Sequence, residues 1–219
     1  MISHSWDITP REAIALQQVL AAQVREEPLR GRIVTVAGAD CAIVDGGRTI
    51  IASAVLCDAR SMEILATASD RRACVFPYVP GLLSFREAPA VIEAVARLPR
   101  RPDLLMCDGQ GRAHFRRFGL ACHVGLWLGI PTIGVAKSRL CGSHSPPGMR
   151  RGCRRQLRHG GEVVGMVVRT REALKPLYIS VGHRIQLAQA VAWTLRCATA
   201  ARLPQPTRLA HQVVSRLRD

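Results

Sequence analysis

Lysine is almost missing from this 219-residue chain, which has only Lys137 and Lys175, so nearly all of its 31 basic residues are arginine. Acidic residues are also few, 16 in all, and the formal charge is +15. Aromatic residues make up 4%. No stretch approaches the roughly 18 consecutive apolar residues that a membrane helix needs, which argues against a bilayer-spanning protein. The eight cysteines, at 41, 57, 74, 107, 122, 141, 153 and 197, form no CxxC pair and do not cluster with histidine. That spacing disfavours a zinc site and a small disulfide framework, and it suits a reducing compartment. Residues 1–7, with His4 and Trp6, lack the cationic start and apolar stretch of a signal peptide. A cytoplasmic protein that stays off the membrane is the expectation.

Hydrophobic residues reach 48%, enough to bury a sizeable core. Length alone favours one domain over residues 1–219, and a monomer is expected. A folded domain carrying +15 attracts polyanions, and nucleic acid is the default partner, against the blander reading of a merely soluble basic protein.

Periodicity places an amphipathic helix from Thr9-Pro10-Arg11-Glu12, which has the form of a capping box, to about Glu26. Strand-like runs follow at Ile33–Asp40, Thr49–Cys57 and Met62–Ala68, joined by short turns that imply an antiparallel meander. Phe76 to Gly81 reads as a rigid loop. Helices are expected from Ser84 and over Leu120–Leu128, with buried strands at Leu104–Cys107 and Thr132–Val135, an alternation that argues for parallel pairing. Strands at Glu162–Val168 and Leu177–Val181 and helices at Leu187–Cys197 and Thr207–Arg218 complete the pattern. The segment Arg150–His159 holds five arginines and no acid and reads as a solvated basic loop. Three antiparallel strands followed by parallel βαβ units make a mixed α/β sheet of the RNase-H-like kind, flanked by helices.

Two aspartates fall at strand ends in this scheme. If the strands of Asp40 and Asp108 are neighbours, the carboxylates share one crevice and call for a divalent cation; the alternative is a pair of ordinary turn residues. Glu87 closes a Ser84-x-x-Glu87 capping box, or else points at the same crevice. Tyr78, held between Pro77 and Pro80, is a surface anchor or a stiff aromatic wedge. Lys137 follows a buried strand and is a solvated end or a phosphate contact. His114, His183 and His211 stay open.

The local strings Val36-Ala37-Gly38-Ala39-Asp40, Pro77 through Glu87, Pro102 through Gly109, Pro131 through Gly142, Gly182-His183-Arg184 and Pro206-Thr207-Arg208 resemble, in order, the motifs of the endonuclease V family. That resemblance implies an RNase-H-like nuclease for deaminated purines, chiefly inosine, using Mg²⁺ or Mn²⁺. It would cut the second phosphodiester 3′ to the lesion and leave 3′-hydroxyl and 5′-phosphate. By position, Asp40, Asp108 and Glu87 match the metal-binding acids, Lys137 a catalytic-site lysine, and His211 a histidine or aspartate near the metal. Tyr78 matches the wedge, with Pro80, Gly81, Leu83, Gly109, His114 and Arg116 at the substrate. The chain departs from the family where Gln110 and Phe115 stand in place of histidine and proline. DNA and RNA containing inosine both fit, and a non-catalytic RNase-H-like binding module is the competing class.

Overall fold

The computed structural model describes residues 2–218. Helix α1 spans Pro10–Ala21, and its Thr9–Glu12 capping box forms as the sequence implies. It stops short of Glu26 because the chain turns away to the far end of the sheet. There Arg25 N–H donates to His183 Nδ1 at 3.3 Å, and Arg25 C=O accepts from Arg184 N–H at 2.7 Å.

Strands β1 (Thr35–Val44), β2 (Thr49–Asp58) and β3 (Ile64–Ala73) form the meander. The β1–β2 hairpin pairs ten residues on each side, from Thr35↔Asp58 to Val44↔Thr49. Asp40 therefore lies inside β1 and does not end it, contrary to the sequence reading. Helix α2 (Leu83–Ala96) leads to β4 (Leu104–Cys107), α3 (Leu120–Leu128) and β5 (Thr132–Ala136). Then come β6 (Arg154–His159), β7 (Glu162–Val168), β8 (Leu177–His183), α4 (Leu187–Cys197) and α5 (Gln205–Leu217).

All eight strands join one sheet in the order β3-β2-β1-β4-β5-β8-β7-β6. Only β1, β4 and β5 run parallel; β8, β7 and β6 pair antiparallel beyond β5. The alternation of strands and helices that argues for parallel pairing ends at β5, since β6 to β8 follow one another through loops with no crossover helix. Short links leave strands antiparallel. Six of the ten residues of the Arg150–His159 segment are thus an edge strand and not a loop, with Arg154, Arg155 and Arg158 solvated.

Helices α2 and α3 cover one face, where Val91, Val95, Leu120 and Val124 pack on Ala37, Leu56 and Leu105. On the other face α4 packs through Ala190 and Val191 on Ile133 and Ile179, and α5 through Ala210 on Val55 and Cys57. Gly38 makes the α5 contact feasible, since a Cβ there would lie 2.1 Å from the Pro206 carbonyl carbon. Helix α1 lies outside α2 and α3, with Ala13 among Phe76, Leu82 and Phe85, and Leu20 among Phe118, Cys122 and Leu126.

Candidate active site

Strands β4 and β5 end beside the middle of β1, where the β1–β4 pairing stops at Ala39 and Cys107, and that places the acids. Asp108 follows β4 directly, and its N–H donates to the Ala39 carbonyl of β1 at 3.0 Å, so it sits next to Asp40. Successive strand residues point to opposite faces. Asp40 shares the α5 face with Gly38, and its Oδ2 meets His211 Nδ1 on α5 at 2.7 Å. One ligand atom from each of Asp40, Asp108 and His211 lies within 4.8 Å of the other two. Lys137, one residue past β5, forms an ion pair through Nζ with Asp108 Oδ2. Its backbone carbonyl is held by Arg202 Nη2 at 3.0 Å.

Glu87 arrives from α2, on the opposite face, where the sulfur of Cys41 hydrogen-bonds with its carboxyl group. The helix has Leu82 as its N-cap with no side-chain cap bond, so the Ser84–Glu87 capping box does not form. Glu87 is thereby left free for the crevice. Burial, then the charges of Asp40 and Asp108, pushes its carboxyl up to about 7. Burial and Asp40 likewise raise Asp108, against the opposing pull of Lys137. Carboxylates that resist ionisation this way fit a site meant for a hard divalent cation, whose oxygen ligands they are. Asp40 and Asp108 would hold it with His211 close by; Glu87 lies outside the tight triple and comes to it from the opposite face of the sheet.

Beside the acids lies a cavity of about 190 Å³, roughly six water volumes, whose walls are chiefly apolar. Tyr78, Pro80, Gly81 and Leu83 line one side, Gly109 and His114 the other, and Glu87 reaches both cavity and acids. Tyr78, on the cavity lining, is 71% exposed and so is not packed away. Arg116 does not line the cavity. It pins the loop, donating through Nη2 to the Gly81 carbonyl at 2.8 Å. Gly81 has φ +80°, and a Cβ there would lie 2.8 Å from that same Nη2. His114 is buried, and burial together with Arg116 pushes it down to about 4, so it is neutral. A roomier groove of about 380 Å³, between residues 27–33 and 101–103, opens at the N-terminal ends of the parallel strands, away from the acids.

Sequence reasoning missed three supports. Gln17 of α1 donates to the carbonyls of Gly81 at 3.2 Å and Phe118 at 2.6 Å, tying both cavity walls together. Its position on the buried stripe of α1 was the available signal. Cys41 and Arg202 left no trace, since their partners lie far away in sequence.

The endonuclease V family model matches residues 18–212. An endonuclease V of Azotobacter vinelandii is 48% identical over 211 residues, covering 96% of each chain. The crystal structure of the Streptomyces avermitilis endonuclease V superposes with a TM-score of 0.92 at 41% identity, covering 99% of this chain and 96% of that one. The Ciona intestinalis endonuclease V, solved with a 24mer DNA containing an inosine followed by a ribo-adenosine, shares the fold at TM-score 0.81 and 22% identity, covering 94% and 96%. The sheet is accordingly an RNase-H-like one.

Proposed function

This chain belongs to the endonuclease V family, and from that premise we propose that it hydrolyses nucleic acid at deaminated purines, chiefly inosine, with Mg²⁺, which Mn²⁺ can replace. The reading places the cut at the second phosphodiester 3′ to the lesion, leaving 3′-hydroxyl and 5′-phosphate. One observation carries it: Asp40, Asp108 and His211 converge within 4.8 Å beside an apolar cavity that shares Glu87 with them. A non-catalytic binding module would have no need of all three acids.

In this reading Asp40 and Asp108 hold the cation, and Glu87 faces it as the third acid. The cation, when bound, neutralises the carboxylates and polarises phosphate and attacking water. Lys137 then offers its ammonium to the phosphate oxygens as a point charge. His211, hydrogen-bonded to Asp40, orients that carboxylate. Taking a base out of its stack costs a few kcal/mol, less for a poorly pairing deaminated base. Tyr78 offsets part of this by stacking in the gap, while Gly81, Leu83 and Gly109 close around the base. Arg116 and Gln17 keep the wedge loop in place. Inosine-bearing DNA or RNA strands, incubated with Mg²⁺, with Mn²⁺ or with chelator and run on a sequencing gel, test the reading. Cuts directly after the inosine's 3′ neighbour, dependent on the cation, are expected. Uncut inosine strands in saturating cation would refute it.

A further inference from the structure

Among the described residues only two Phe, Tyr or Trp side chains are exposed, Tyr78 and Phe115, and both line the cavity beside the acids. Leu83 and Leu140, exposed as well, line it with them. A single exposed apolar side chain is ordinary, but four around one opening form a patch of the kind that marks a binding site. Phe115 is 50% exposed, yet its place is fixed. It stands at the corner of a tight turn in which Arg117 N–H donates to the His114 carbonyl at 2.9 Å. Arg116 N–H donates to His114 Nδ1 at 3.1 Å, and the Arg116 side chain runs on to the Gly81 carbonyl of the wedge loop. The rings of His114 and His159 lie crosswise to that of Phe115, with centroids 5.9 and 6.1 Å away. A ring held in this way loses little freedom on binding, which suits it to stacking.

We propose that Phe115 stacks on the base immediately 5′ of the lesion, as a second aromatic contact beside Tyr78. This rests on the functional reading above. A lesion base seated in the cavity brings its two strand neighbours to the rim, because they are covalently joined to it. Glu87 lines the cavity and feels the charges of Asp40 and Asp108, so the strand running 3′ to the cut leaves on that side. Phe115 also lines a second, open groove, against the end of α1 at Gln18 and Ala21. None of Asp40, Glu87, Asp108 and His211 lines that groove, so the base that meets Phe115 is the 5′ neighbour. Arg112 and Arg117, on the same groove, are already paired with Glu26 and Glu162, at 2.7 and 2.8 Å. The ring therefore contributes stacking there and not charge. Every base has a π-face, so the contact adds affinity whatever the neighbour is.

The test is binding in chelator, so that nothing is cut, to single strands. One carries inosine and is intact, a second lacks the base 5′ of the inosine, a third lacks the base 3′ of it, and a fourth has adenosine in place of inosine. In wild type the 5′ gap should weaken binding roughly fivefold to a hundredfold, as for one lost stack. Phe115→Ala should weaken binding to the intact strand by a similar factor and be indifferent to the 5′ gap. Its response to the 3′ gap should match wild type, and the slope of log K against log salt should not change, because no charge is lost. Phe115→Trp should bind as well as wild type, whereas Phe115→Leu, apolar but without a π-face, should follow Phe115→Ala. Thermal midpoints show that each variant folds, and Phe115→Leu carries the same comparison should the alanine variant be unstable. If the variants without a ring still lose affinity at the 5′ gap as wild type does, or become indifferent to the 3′ gap instead, this inference is wrong while the functional reading stands. If wild type itself does not prefer inosine to adenosine, the lesion reading fails and this inference with it.

Discussion

The acid cluster and the cavity lie side by side yet are built on opposite principles. The cluster gathers groups that repel one another, held by the middle of β1 and the end of β4 and by Lys137 and His211. The cavity gathers groups that tolerate one another, shaped by backbone: Gly81 at φ +80°, Gly109, and a loop tied down by Arg116 and Gln17. Strain is stored in the first and shape in the second. Chemistry needs the stored field, because a cation relieves it on binding; recognition needs a surface that does not rearrange. Substitutions should therefore separate cutting from binding.

The largest separation comes from Asp108→Asn. It keeps the side-chain shape and removes the charge that would hold the cation. Several kcal/mol of transition-state stabilisation are lost, so cleavage should fall by roughly a thousandfold or more. Affinity for an inosine strand in chelator should change little. Gel cleavage and equilibrium binding on one preparation check this, and a wild-type rate in saturating Mg²⁺ would remove Asp108 from the cation site.

On the recognition side, Tyr78→Ala should weaken inosine binding by about 1–3 kcal/mol, the value of one stacked base. Binding to undamaged strands should change less. Gly81→Ala should act similarly from within the wall, because its Cβ meets Arg116 and the left-handed backbone strains alanine. Titration by fluorescence anisotropy reads both. Equal losses on lesion and plain strands would make Tyr78 a structural residue.

These contrasts bear on what could be read from the chain. Leu104–Cys107, Leu120–Leu128, Glu162–Val168 and Leu187–Cys197 form where periodicity puts them, because their apolar spacing is a local property. Asp40 and Asp108 were legible as a pair once β1 and β4 were taken as neighbours, and they are. Ser84-x-x-Glu87 has the spacing of a cap, but the tertiary demand for a carboxyl in the crevice overrides it. The antiparallel run of β8, β7 and β6 was not legible, since strand direction depends on which distant edge accepts the strand. Gln17, Cys41 and Arg202 act on partners dozens of residues away. No window of sequence contains such pairs.

Acidification should split the two regions by sign. Glu87 titrates at about 7 when folded and at its ordinary carboxylate value, about 4.5, when unfolded, so between those values the folded state binds more protons. That contribution raises stability as pH falls from about 7 to 4.5. His114 on the cavity wall, and His183 at the far end of the sheet, are pushed down to about 4 by burial from their usual 6.5, so the unfolded state binds more protons and stability falls over pH 6.5 to 4. Glu87→Gln removes the first contribution only. The variant should be more stable than wild type at pH 8, by roughly 1–2 kcal/mol, and inactive. Its melting temperature should then drop more steeply than that of wild type between pH 6.5 and 4.5. Parallel melting curves would show that Glu87 carries no stored repulsion.

The smallest effect is expected farthest from the site, on the edge strand β6. Arg154, Arg155 and Arg158 are exposed there, and none meets a carboxylate among the described residues. Arg151, by contrast, is an anchor, donating to the Leu195 carbonyl at 2.6 Å. The strand is nonetheless tied to the cavity wall. Arg117 donates to the His159 carbonyl at 2.8 Å, and Ser143 N–H, in the loop after Lys137, donates to the Arg158 carbonyl, also at 2.8 Å. Positive charge on an edge strand has an ordinary use, since it keeps edges from pairing with other chains. It also suits phosphates flanking the lesion, which add affinity without base information. On duplex DNA each lost phosphate contact flattens the slope of log K against log salt by about 0.9, so changing all three arginines to glutamine should flatten it by roughly two to three units. The ratio of inosine to undamaged binding should stay as it was, because nothing in the cavity is touched. An unaltered slope, accompanied by self-association of the variant, would assign β6 to edge protection and confine the nucleic-acid footprint to the cavity rim and Lys137.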